Sequence, residues 1–94
     1  MALFAVEYTY TEATTTARDE HRPKHRAWLG DLVEAGTVRA TGPWVDGSGA
    51  LILIDVADEA AAHDLMAQDP FAQLTLIEAV RITGWTPVMG MFND

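Results

Sequence analysis

The sequence predicts an α+β fold of ferredoxin-like type, β-α-β-β-α-β, with a four-stranded antiparallel sheet. Three observations predict it. "ALFAVEYTY" and "ALILIDV" read as strands, one by its alternation and one as a continuous apolar run. "RPKHRAWLGDLVEAG" and "EAAAHDLMAQ" carry apolar residues at the three-and-four spacing of helices. "VDGSG" lies between two strand-like runs, which makes them a hairpin.

Each element follows in order. Ala2 to Tyr10 is the first strand, rich in aromatic and β-branched residues. The threonine-dense "TYTEATTTARDE" lacks apolar spacing at its start and reads as a loop that tightens into the next helix. That helix is expected from Arg22 to Ala35, with Pro23 in its first turn, where the missing amide has no intrahelical acceptor, and Gly36 as its stop. Thr37 to Thr41 is a second strand ended by Gly42-Pro43, and "ALILIDVA" is the third and most central. Asp58 is a natural N-cap for the alanine-rich second helix, which Asp69-Pro70 ends. "FAQL" is a connector or single turn, and Thr75 to Trp85 is the fourth strand. The tail "TPVMGMFND" holds apolar residues that should pack on this subunit or its partner.

With 94 residues, 49% of them hydrophobic, the chain reads as one globular domain, 1–94. A monomer of this size buries only roughly 60–65% of its unfolded surface. Both helices on one face of the sheet leave the other face bare, so a homodimer with two sheets packed face to face is expected.

Composition excludes several chemistries. Fourteen acidic residues against six Lys or Arg leave a net charge of −8 and no basic face, which argues against nucleic acid and anionic membrane partners. No apolar run is long enough to span a membrane, and "MALFAVEYTY" has neither the positive flank nor the core of a signal peptide, so the cytoplasm is the expected location. Without cysteine there is no disulfide, thiolate nucleophile or Cys-ligated metal. A phosphate-binding glycine loop, a G-x-S-x-G elbow and a dinucleotide fingerprint are all missing, so no cofactor is implied.

His25 is the residue that asks for a reason, because it stands on the buried stripe one turn before Leu29. Placed near the start of the expected helix, it would feel the helix dipole disfavour an imidazolium, while an ionised Asp69 nearby would favour one. A His-Asp pair so balanced suits a general base. The plainer readings are a hydrogen-bonded core histidine and an Asp69 that only caps the turn at Pro70. One carboxylate can do both jobs, with one oxygen on an amide and the other on the imidazole. Trp44 and Phe71 are candidates for an aromatic wall, Arg22 and Arg39 for anion contacts, and Ser48 for a hydroxyl contact that a tight turn would explain equally well. His21 and His25 are four apart, but Pro23 between them argues against a shared metal, and none is assigned.

"RPKHRAWL", "AGTVRATGP", "DGSGALILIDV", "EAAAHDLMAQDPF" and "ITGW", in this order, resemble the YCII (YciI-like) family of small dimeric α+β-barrel proteins over nearly the whole chain. The resemblance implies a fold similar to muconolactone isomerases and cofactor-free monooxygenases. It also implies a polar pair of His25 and Asp69 in a pocket, and small substrates that are often aromatic or halogenated. Departures are Trp28 where tyrosine is frequent, His25-Arg26 for a His-Leu, Gln73 to Thr75 where a glycine is common, and Gly84 for a proline before Trp85. The reading is therefore a cofactor-independent lyase or isomerase in which His25 and Asp69 move a proton, with Arg22, Trp44, Ser48 and Phe71 around the substrate. Its alternative is a non-catalytic dimeric protein that holds a small molecule in the same pocket.

Overall fold

In the computed structural model, which describes residues 2–92, the strands β1 (Ala2–Thr9), β2 (Val38–Pro43), β3 (Gly49–Val56) and β4 (Ala79–Trp85) form one antiparallel sheet in the order β2-β3-β1-β4. The two most apolar strands hold the centre, where both edges are paired. Phe4, Val6 and Tyr8 stand opposite Ile54, Ile52 and Ala50, so their side chains share the face that the helices cover. The long helix α1 (Thr15–Glu34), the short α2 (Glu59–Met66) and the single turn α3 (Pro70–Gln73) supply that cover. Leu29, Ala62 and Met66 close over Val6, Tyr8, Ile52 and Ile54 in one core cluster. The expected α+β architecture is present.

Several local signals act as read. Gly36 ends α1 at a φ of +83°, and Thr37 and Gly36 donate to the carbonyls of Leu32 and Val33, a Schellman closure. Asp58 caps α2 by accepting from the Ala61 amide at 2.8 Å. Gly49 is required where β3 enters the sheet, because a Cβ there would lie 1.8 Å from the Tyr8 carbonyl oxygen.

Three boundaries differ from expectation. The long helix starts at Thr15, not Arg22, following a 3-10 turn over Glu12–Thr14, and so Pro23 stands in its interior. The apolar stripe had seemed to begin late because its inward position one turn earlier is taken by Arg18, a charged residue that is nonetheless buried. Strand β4 begins at Ala79 instead of Thr75. Thr75 has a φ of +57°, the left-handed geometry that follows a helix end, and the Leu76 amide folds back to the Phe71 carbonyl. Strand β2 runs two residues past Thr41, to Pro43, and a register shift between Val38 and Ala40 bends its start.

The far face of the sheet carries Leu3, Ala5 and Glu7 opposite Asp55, Leu53 and Leu51, with no helix over it. Of the tail, Phe92 sets its ring edge-on to Trp85 at 6.2 Å, whereas Val88, Met89 and Met91 are exposed. The last two tail residues, Asn93 and Asp94, lie outside the described residues. No helix among the described residues is long and apolar enough to cross a membrane.

Candidate active site

Asp69 is wholly buried, and three polar partners reach its carboxylate. Its Oδ1 accepts from the Phe71 amide at 2.9 Å and faces His25 Nδ1 at 2.8 Å, while its Oδ2 accepts from the Tyr8 hydroxyl at 2.7 Å. The first bond is the N-cap of α3, with Pro70 at the start of that turn. Cap and pair therefore coexist, but on one oxygen, and the second oxygen is held by Tyr8, which had no role in the sequence reading beyond its place in the first strand.

An ionised carboxylate only accepts, so a neutral His25 must carry its proton on Nδ1 and leave Nε2 with a lone pair. The ring stacks on Phe71 at 3.9 Å between centroids and 4° between planes, which fixes its rotation. Because α1 begins at Thr15, His25 lies in the middle of the helix. The dipole argument made for a first-turn histidine does not apply, since the field of the N-terminus fades within a turn. What orients this imidazole is the buried carboxylate and the Phe71 ring.

The two tyrosines answer to the same carboxylate. Burial, then the charge of Asp69 and the bond to it, drives the Tyr8 hydroxyl far above the usual tyrosine range, so it stays a donor. Burial and then Asp69 also raise Tyr10, against the opposing pull of Arg18 and Arg22.

His25 and Phe71 line a cavity of about 570 Å³ bounded by α1, the β2–β3 hairpin and α3. Arg22, one of the residues expected to touch substrate, lines it too. Tyr10, Arg18 and Arg26 are in its wall as well, and sequence reasoning had not placed them there. Arg18 is 6% exposed. It lies over the Tyr10 ring at 4.3 Å, donates to the Thr11 carbonyl at 2.9 Å and bonds Thr14 Oγ1. A run of Arg18, Arg22 and Arg26 at four-residue spacing was the available signal, hidden because charged residues at that spacing usually mark a solvated face.

The other expected contacts lie elsewhere. Trp44 and Ser48 sit in the hairpin next to the lining residues Pro43 and Gly47, with the Ser48 amide turned to Asp46 at 2.9 Å. The Ser48 side chain, and then its amide, hydrogen-bond the exposed Asp46 carboxyl and hold it below its usual range. Arg39 faces a separate recess of about 380 Å³ near Trp85, 3.5 Å from Asp55 and over the Phe92 ring. Among the described residues no group of three or more His, Cys, Asp or Glu is placed to hold a metal ion.

The model of the YCII-related domain matches residues 2–86. The chain belongs to the YCII family. Among solved structures, this YCII protein is similar to the 5-chloro-2-hydroxyhydroquinone dehydrochlorinase of Burkholderia phenoliruptrix AC1100, described in complex with 2,5-dihydroxybenzoquinone. The two are 21% identical with a TM-score of 0.78, over 98% of this chain and 99% of that one, a likeness that establishes the fold. No curated protein matches this YCII sequence.

Proposed function

We propose that this YCII protein is a cofactor-independent lyase or isomerase in which His25 Nε2 takes a proton from a small aromatic or enolisable substrate. The observation that carries the reading is the 2.8 Å contact between His25 Nδ1 and a carboxylate buried under three donors, in the wall of a cavity large enough for a small molecule. Asp69 orients the ring and stabilises the imidazolium that proton transfer creates. The electron pair left on the substrate then expels a leaving group, such as a halide departing with the pair of its carbon–halogen bond, or takes a proton back at another carbon. The first outcome is elimination and the second isomerisation. That the structurally similar protein is a dehydrochlorinase supports a halogenated aromatic and the elimination.

Phe71 stacks behind the imidazole and offers its surroundings to a planar ring, and Arg22 offers a guanidinium. Trp44 and Ser48 would touch only a substrate that extends beyond the hairpin. We further propose a homodimer, closed by the uncovered sheet face with Leu3, Ala5 and Leu51, into which the exposed Val88, Met89 and Met91 would pack.

The test is halide release and solvent deuterium incorporation with a panel of chlorinated hydroquinones and enol lactones. His25→Ala should lower turnover about 10²–10⁴-fold, the usual contribution of a positioned base. A panel member that binds in the cavity of wild type and is never turned over would favour the non-catalytic binding protein instead. Sedimentation at micromolar concentration tests the dimer, and a monomer there would overturn it.

A further inference from the structure

Three of the six cations of this strongly acidic chain, Arg18, Arg22 and Arg26, line the cavity, and no Asp or Glu does. Asp69, below the cavity floor, is screened behind His25, Tyr8 and the Phe71 amide, and the nearest acid at the cavity edge is the exposed Asp19 that pairs with Arg22. Successive turns of α1 set the three guanidinium stems along one line, about 12 Å from first to last at 1.5 Å per residue. They are not equivalent. Arg18 is committed to Thr11, Thr14 and the Tyr10 ring, and acts as a fixed charge in the floor. Arg22 is part-exposed and makes a 2.6 Å pair with Asp19, and Arg26 is exposed and makes no ion pair among the described residues. His25 and Phe71 stand deeper, both buried.

We propose that the substrate carries a carboxylate, which Arg22 and Arg26 hold at the mouth of the cavity while its reactive portion reaches His25. Guanidinium forks match a carboxylate in geometry and charge, and Arg22 need only exchange a solvent-exposed aspartate for it. The surplus of negative charge elsewhere on the chain makes a local positive mouth the more selective, because an anion finds a favourable potential there and little of it elsewhere. The inference rests on the cavity being the substrate site, and it narrows that reading to an anionic class.

Two probes of equal shape test it: 2,5-dihydroxybenzoate and 2,5-dihydroxybenzamide, titrated into the full chain while NMR signals of His25 and Phe71 are followed. The acid should bind at least about tenfold more tightly than the amide, the margin expected of charge-assisted bonds, and lose affinity as salt rises. Arg26→Gln and Arg22→Gln should each reduce that preference and together remove it, and Arg26→Lys should restore part. Lys24→Gln, an exposed cation on the same helix outside the lining, should leave it unchanged. If both probes shift His25 and Phe71 but bind alike, or if the preference survives the double substitution, the carboxylate assignment is overturned and the cavity reading stands. If neither probe moves those signals at millimolar concentration, the cavity reading fails and takes this one with it.

Discussion

Asp69→Asn exchanges the buried carboxylate for an amide of the same shape and so isolates its charge. Three bonds of 2.7, 2.8 and 2.9 Å converge on it, from Tyr8, His25 and the Phe71 amide. Two of these donors share Oδ1, so the amide must keep its oxygen there and turn its NH₂ toward Tyr8, whose hydroxyl then has to accept instead of donate. Hydrogen bonds to a charged group contribute ~1.5–3 kcal/mol and neutral ones ~0.5–1.5, so each surviving bond weakens by about 1 kcal/mol. Relief from burying a charge offsets part of the sum, leaving an expected loss of about 2–3 kcal/mol. Urea unfolding at neutral pH measures it, read as a shift in midpoint at constant slope. Ring-nitrogen NMR on the same samples should show a dominant Nδ1–H tautomer for neutral His25 in wild type and, in the variant, an Nδ1 signal shifted by the weaker bond to a neutral acceptor. A loss below about 0.5 kcal/mol with an unchanged Nδ1 signal would refute the claim that this carboxylate organises the site.

Tyr8→Phe leaves Asp69 Oδ2 buried without a donor and should cost about 1–3 kcal/mol at neutral pH. Because Tyr8 ionises above its ordinary value of 10.0 when folded, its contribution is complete below about pH 10 and is lost as pH rises further, where only the unfolded chain gives up the proton. The variant should therefore show a shallower alkaline loss of stability than wild type, and an identical slope would contradict the burial of that hydroxyl. Pro23→Ala, at an exposed position inside α1, should raise stability by about 1–3 kcal/mol by restoring an intrahelical bond; destabilisation in thermal melts would mean that the break in the ladder is needed to shape the helix. Thr75→Gly removes a β-branched side chain from left-handed backbone at an exposed site and should stabilise by up to about 1 kcal/mol, with no change or a loss in melting temperature counting against strain there.

Local chemistry was legible where a residue's consequence falls within a few positions of itself. Asp58 and Asp69 cap the turns they precede, Gly36 takes the positive φ that stops a helix, and the alternation of Phe4, Val6 and Tyr8 marks one face of a strand. The order of strands and helices, and with it the sheet, followed from those periods. The histidine–aspartate pair was legible by a different route, through the family motif, since nothing local joins residues 44 apart.

Periodicity misled where polar residues occupy inward positions. Arg18 stands on the buried line of α1, so a hydrophobic pattern places the helix start at Arg22, and the first-turn roles given to Pro23 and His25 went with it. Tyr8 looks apolar in a strand and proves to be a donor to a residue 61 positions away. By itself the sequence determined the elements, their caps and the apolar face of the sheet, because those depend on short-range sterics and on alternation. Only the tertiary structure decided that Tyr8, His25 and the Phe71 amide meet on one carboxylate and that three arginines share the cavity beside them, because packing α1 and α3 onto the sheet creates distances that no local spacing encodes.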